Sequence, residues 1–227
     1  MKPLCAKLKR TIVICWMAVL TISVSMSCAY GQNSSDQDAT SVRSLLQLLN
    51  GIQSMSAKFQ QDVVNGNGEA LQSTQGVMKL QRPGKFYWQT DLPFEQKINS
   101  DGVRIWVYDV DLEQVTVQKV DPGLGKTPAA LLSGKPEEVV QQFFVDGHIE
   151  GSGDWKYSLK PRDFNSTFSW IELQFNGKKL VSMKLMDSLR QTITVHFTDV
   201  VLNPVFSAQT FALSFPKDVD LIDNSHE

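Results

Sequence analysis

The residues whose types could support catalysis are three histidines, a glycine–lysine pair and a few carboxylates, and their spacing organises none of them into a site. His148, His196 and His226 are too scattered to form a ligand set. His196 also falls on the polar side of a strand-like alternation. Gly125-Lys126-Thr127 has the ending of a phosphate-binding loop, but that loop requires glycine five residues before Gly125, where Val120 stands. Neither His-Glu-x-x-His nor Gly-x-Ser-x-Gly occurs, so zinc-dependent and serine hydrolysis have no signature here. Asp62, Asp91 and Glu95 sit beside turns, where carboxylates are ordinarily solvated, and Asn165-Ser166-Thr167 matches a glycosylation sequon. No catalytic residue, metal or cofactor is expected.

The side chain with unmet chemistry is Arg82. Two-residue periodicity places Met78, Leu80 and Arg82 on one face of a strand, and Pro83-Gly84 marks a turn after them. A two-residue turn would set Leu80 opposite Tyr87. A three-residue Pro83-Gly84-Lys85 loop would pair Arg82 with Phe86 and Leu80 with Trp88. The second register is preferred, because glycine-bearing three-residue loops are common and it collects the apolar residues on one side. An arginine ending a face of Met78, Leu80, Phe86 and Trp88 has five donors to place, and leaving them unpaired against apolar surface is costly. Either the guanidinium reaches solvent at the rim, the commoner outcome, or it bonds to backbone carbonyls of a covering helix or loop, a contact able to open.

The elements that hold these residues are mostly short strands. Apolar runs bounded by turn residues predict strands over 77–82, 86–90, 103–109, 115–120, 155–160, 168–175, 180–186, 192–200 and 210–215. Pro83-Gly84, Ser100-Asp101-Gly102 and Asn176-Gly177 punctuate them. Over 192–200, Ile193, Val195 and Phe197 alternate with Thr194, His196 and Thr198, the pattern of a strand with one wet face. Over 103–109 both faces are apolar, Val103, Ile105 and Val107 against Trp106 and Tyr108, so both need cover.

Three helices are predicted. The first spans 41–55, with Val42, Leu45, Leu46, Leu49 and Ile52 on one face and Thr40 or Ser41 as cap. Thr127 caps a second over 128–133, with Pro128 at its first position. The third spans 136–144. The expected fold is α+β and mainly β: an incomplete antiparallel barrel, or strongly curved sheet, whose apolar concave face is covered by about three helices.

The N-terminus reads as an export address. Lys2, Lys7, Lys9 and Arg10 precede an apolar run from Ile12 to Val24, then small residues Ser27 and Ala29. That order is a secretory signal peptide over 1–29. The run is shorter than the ~20 residues a spanning helix needs. A lipidation signal at Cys28 would want an aliphatic residue where Ser25 stands. Cleavage removes Cys5, Cys15 and Cys28, the only cysteines, so the mature chain has no disulfide and no thiol chemistry. It also removes four of the 22 basic residues and none of the 24 acidic ones, leaving a net charge of −6. Such a surface disfavours nucleic acid and anionic membranes, so lipid would be met in a cavity. Residues 30–40 read as a disordered polar leader, and 41–227 as a single domain, expected to be monomeric.

Several pieces, in order, carry a family resemblance. They are Phe59-Gln60-Gln61, Gln75-Gly76, Arg82-Pro83-Gly84-Lys85-Phe86-Tyr87-Trp88, Ser100-Asp101-Gly102 with Trp106-Val107-Tyr108-Asp109, Leu112-Glu113-Gln114-Val115, Thr127-Pro128-Ala129-Ala130-Leu131-Leu132, and the closing run from Phe211 through Phe215-Pro216 to Asp220. Together the sequence resembles the LolA family of periplasmic lipoprotein carriers. The resemblance implies an apolar cavity that shelters the chains of acylated lipoproteins. It also implies two partners, an inner-membrane ABC-type lipoprotein-releasing complex and an outer-membrane lipoprotein receptor. Arg82 matches the arginine thought to latch the family's lid, and Phe86 the aromatic linked to release. Read this way, the cavity is lined by Leu45, Leu49, Met78, Leu80, Phe86, Trp88, Trp106, Leu131 and Leu132. Ala129-Ala130 are small for a lid helix. The alternatives are a lipid- or lipoprotein-sensing module of the same fold and a lipid-anchored acceptor relative.

Overall fold

The computed structural model describes residues 33–120, 127–150, 154–212 and 214–225. The predicted export signal, Gly125-Lys126 and His226 lie outside them. The chain divides into a short unit, Met1–Asp36, and a body, Gln37–Glu227.

Helix α1 (Asn33–Asn50) is followed by a meander of β1 (Ser54–Val64), β2 (Ala70–Gln81), β3 (Lys85–Leu92), β4 (Gln96–Asp101), β5 (Arg104–Asp109) and β6 (Gln114–Lys119). Helices α2 (Pro128–Ser133) and α3 (Pro136–Gln141) lead to a second meander of β7 (Phe143–Ile149), β8 (Trp155–Pro161), β9 (Phe168–Asn176), β10 (Lys179–Asp187) and β11 (Thr192–Leu202). A 3₁₀ turn (Ala208–Phe211) precedes β12 (Asp220–Asp223). The described strands form one sheet in the order β12-β6-β5-β4-β3-β2-β1-β11-β10-β9-β8-β7. Antiparallel pairing of β1 with β11 joins the two meanders, and β12 lies parallel to β6 at one edge. The edges β12 and β7 do not pair, so the sheet curves without closing.

Bulges supply part of that curvature. Across β1 and β11 the register shifts between Ser56 and Lys58, opposite Asp199 at φ 52°. The extra residue moves the buried positions from Val195 and Phe197 to Val200, so one strand keeps apolar contact around a bend. The inner face forms the main core with Leu45 and Leu49 of α1, Leu131 and Leu132 of α2, and Val139 and Val140 of α3.

Several elements differ from the sequence expectation. Helix α1 begins at Asn33, inside the stretch read as a leader, so Ser41 is an interior residue and not a cap. Its buried hydroxyl accepts the Gly147 amide at 3.0 Å and docks the helix on β7. A Cβ at Gly147 would lie 2.8 Å from the Tyr157 ring, so glycine lets that approach occur. The helix stops at Asn50 because the chain turns at Gly51 and Met55 enters β1, pairing with Leu80 and Leu202. Helix α3 ends at Gln141, since Phe143 starts β7. Among its described residues the run 210–215 forms no strand: Phe211 is buried in the 3₁₀ turn against Phe206, and Phe215 packs near Tyr108. The last described strand is the short, exposed β12, whose parallel ladder with β6 is too brief for an alternating pattern to show. Strands β1 and β4 carry too many polar residues to announce themselves by alternation, and the consecutive apolar Phe143, Phe144 and Val145 at the start of β7 do not alternate. Helix α2 is as expected, with Thr127 Oγ1 accepting the Ala130 amide at 3.2 Å.

Candidate functional site

The concave face is built around the β2–β3 hairpin. Leu80 pairs with Phe86, Met78 with Trp88 and Gln81 with Lys85, so the loop is Arg82-Pro83-Gly84. Neither register considered is the observed one: the preferred pairing of Leu80 with Trp88 is off by two residues on the partner strand, the alternative with Tyr87 by one, and Arg82 does not pair with Phe86. Gly84, at φ 74°, takes the left-handed position that closes such a loop, which moves Arg82 out of the strand into the turn. Met78, Leu80, Phe86 and Trp88 still share one face. Gly76 makes room above them: Phe59 reaches across to stack on Trp88, with ring centroids 4.1 Å apart. A Cβ on Gly76 would sit 1.8 Å from the Gln89 carbonyl oxygen.

Arg82 bonds to backbone. Its Nε donates to the Ile52 carbonyl at 2.8 Å, and Nη1 donates to the Gly134 carbonyl just past the end of α2. The Arg82 amide donates to Gln53 O at 2.9 Å, and the Gly84 amide to Ser133 O at 2.8 Å. One hairpin tip therefore ties the α1–β1 connection to the end of α2. Asn203, at φ 57°, holds the Ile52 segment in place. Its Oδ1 accepts the Gln53 amide at 2.9 Å and its Nδ2 donates to Gly51 O at 2.9 Å. Burial pushes the Arg82 pKa down to about 10, with Glu137 acting in the opposite direction. The guanidinium stays charged at neutral pH. Glu137 is itself tied to the end of α1, accepting from Asn50 Nδ2 at 2.9 Å.

Of the nine apolar residues named from sequence, eight, Trp88 included, belong to one packed group. Leu45, Leu49, Met78, Leu80, Phe86, Leu131 and Leu132 are all buried, with α2 lying on β2 and β3. The face is filled by its own helices. Trp88 is also buried but borders an open cavity of about 580 Å³ beside the start of α2, within the ~300–1,000 Å³ range of small-molecule sites. Thr127, Pro128 and Ala129 border it too, so the small Ala129 leaves space that a larger residue would fill. Trp106 is placed elsewhere. It pairs with Val117 and joins Tyr108, Val115 and Val117 in a second cluster, while Ile98 and Val107, from the other face of β4 and β5, share the side of Trp88. Strand alternation puts residues 106 and 107 on opposite faces, and the pattern within β5 does not reveal which faces inward.

The carbonyls of Ile52 and Gly134, the Asn203 clamp and the cavity residues Thr74, Thr90 and Gln96 had no signal in sequence, and Phe59 and Gln61 entered only through the family resemblance. A backbone acceptor has no residue code, and Asn203 acts from 150 positions away. Gly76 too entered only through the resemblance, although glycine within a strand is the residue type that permits such a close approach. The other titratable residues disperse. Asp62 accepts from Ser73 Oγ at 2.6 Å, Asp91 from Gln89 Nε2 at 2.8 Å, and Glu95 pairs with Lys97 at 2.9 Å. His148 and His196 are exposed. Among the described residues no group of His, Cys, Asp and Glu has metal-binding geometry.

Comparison with known proteins fits this geometry. Residues 50–214 match the family model described as outer membrane lipoprotein carrier protein LolA. An outer-membrane lipoprotein carrier protein of Pseudomonas paraeruginosa is 37% identical over 213 residues, covering 94% of this chain and 99% of that one. One from Hahella chejuensis is 39% identical over 186 residues, covering 82% and 89%. In fold, an uncharacterized conserved protein from Thermus thermophilus superposes with a TM-score of 0.51 at 9% identity, over 83% of this chain and all of that one. The chain belongs to the LolA family of outer-membrane lipoprotein carrier proteins.

Proposed function

We propose that this protein carries acylated lipoproteins across the periplasm, sheltering their acyl chains in the space that opens when α2 lifts from the concave face. The observation that carries the reading is the Arg82 fork, which bridges Ile52 O and Gly134 O over a closed face made of Met78, Leu80, Phe86, Leu131 and Leu132. An inner-membrane ABC-type complex would load it, and an outer-membrane receptor would take the cargo. Export by the signal over 1–29 would deliver the carrier to that compartment.

Energetics favour a closed, self-filled empty state. Burying one ~16-carbon chain gains about 12 kcal/mol at ~0.8 kcal/mol per CH₂, too tight for ready release. A carrier whose apolar face is already packed must expose or repack that face to accept cargo, which offsets part of the gain. Breaking the Arg82 contacts offsets more. The receptor then competes against a moderate affinity.

Purification from periplasm followed by mass spectrometry of the intact, loaded protein tests this. Bound acylated lipoproteins, together with their accumulation in the inner membrane on depletion of the protein, are the expected result. Bound free phospholipid alone, with no accumulation, would move the assignment to a lipid-sensing module.

A further inference from the structure

The concave face changes character along its strands. Towards the Arg82 loop it is apolar; one step past Trp88 polar side chains join Ile98 and Ile193 on it. Gln61, Thr74, Thr90 and Gln96, from the adjacent strands β1 to β4, border the 580 Å³ cavity. Pairing of Gln61 with Thr74 and of Thr90 with Gln96 sets each pair on one face. Thr74 is 6% exposed, and its hydroxyl has no hydrogen-bond partner among the described residues. A buried hydroxyl without a partner in the empty protein is an uncommon arrangement that calls for one. Asp109 and Asp111 also border the cavity, and none of the described residues lining it is cationic. Lys97, the described cation next in sequence to Gln96, is engaged by Tyr108 and Glu95: its ammonium lies 6.0 Å from the Tyr108 ring centroid and 2.9 Å from the Glu95 carboxylate.

We infer that this cavity receives the uncharged polar linkage of the cargo, the glyceryl esters and the cysteine amide, and selects against anionic phospholipid headgroups. The inference rests on the carrier reading and names the part of the cargo that each end of the face takes. Ester and amide carbonyls accept hydrogen bonds, and the Thr74 and Thr90 hydroxyls and the Gln61 and Gln96 amides can donate them. A phosphate asks for cationic or charge-assisted donors, and here meets two carboxylates instead. The cargo is thereby oriented, with its acyl chains running beneath α2 towards Leu80 and Phe86 and its peptide leaving past Phe94 and Leu112, which are 66% and 69% exposed at the cavity border.

The test uses the full mature protein, stripped of lipid. A dipalmitoylglyceryl-cysteinyl peptide and dipalmitoyl-phosphatidylglycerol, with identical acyl chains, are titrated by native mass spectrometry. The lipopeptide is expected to bind at least about tenfold tighter, because phosphate finds no cation among the described lining residues to offset its desolvation. Thr74→Val should weaken the lipopeptide about fivefold, the worth of one hydrogen bond. It should also raise the melting temperature of the empty protein, since a methyl replaces an unpartnered hydroxyl. Asp111→Lys, at an exposed position, should narrow the gap between the two lipids. Equal affinities for both lipids, or an unchanged lipopeptide affinity in Thr74→Val, would overturn the inference while leaving the carrier reading intact. Binding of neither lipid would overturn both.

Discussion

Replacing Arg82 by leucine removes the two side-chain bonds that hold the hairpin tip to Ile52 and Gly134. Hydrogen bonds involving a charged group contribute roughly 1.5–3 kcal/mol each, so the two together are worth about 3–6 kcal/mol. Against this stands the burial of the guanidinium. Burial lowers its pKa to about 10, which corresponds to a penalty of about 3 kcal/mol at ~1.36 kcal/mol per pKa unit. The net hold on α2 is therefore about 0–3 kcal/mol, with ~1.5 kcal/mol as a working value. That is about a tenfold bias towards the closed state. The Arg82→Leu protein should open α2 about ten times more often, and should bind a diacylated lipopeptide about tenfold tighter because less must be broken on loading. Hand-over to an acceptor should slow by a similar factor. Arg82→Lys should fall between, since one ammonium lacks the planar fork that spans two carbonyls. Hydrogen exchange at the Gly84 amide, which donates to Ser133 O, reports directly on separation of the hairpin from α2. If that exchange and the lipopeptide affinity both stay within about twofold of wild type, Arg82 does not latch the helix.

Gly76→Ala should cost about 3 kcal/mol or more of stability, the upper range for overpacking, because its Cβ would collide with the Gln89 carbonyl at 1.8 Å. Urea denaturation measures this, and a loss below about 1 kcal/mol would contradict the β2–β3 register. Trp106→Ala should destabilise the fold yet leave lipopeptide affinity within about twofold, since Trp106 packs on the far face with Val115 and Val117; a tenfold loss would place it in the cavity after all. The Glu137 carboxyl is held below its usual 4.5, chiefly by the hydrogen bond from Asn50. A carboxyl with a lowered folded-state pKa contributes stability above pH 4.5 that is lost as pH falls through the folded value. An NMR titration should show its midpoint below 4.5, and Asn50→Ala should move it back up; an unmoved midpoint would sever the proposed tie between α1 and α3.

Local sequence was sufficient for features with local causes. Thr127-Pro128 fixed the start of α2, because a hydroxyl cap and a proline with φ preset act within one turn. Alternation fixed the inward face of β11 at Val195 and Phe197. The β2–β3 hairpin put Met78, Leu80, Phe86 and Trp88 together in more than one register, because any of the three-residue loops keeps the same parity. Tertiary structure decided the rest. Strands β1, β4 and β12 are held by ladders to neighbours and not by their own patterns. The two-sided apolar pattern of β5 left its inner face open until pairing set Val107 beside Ile98 and Trp106 beside Asn99. Arg82 was legible as a charged group in need of partners. Its acceptors are carbonyls, which every residue carries, so only the fold could say that the partners are Ile52 and Gly134.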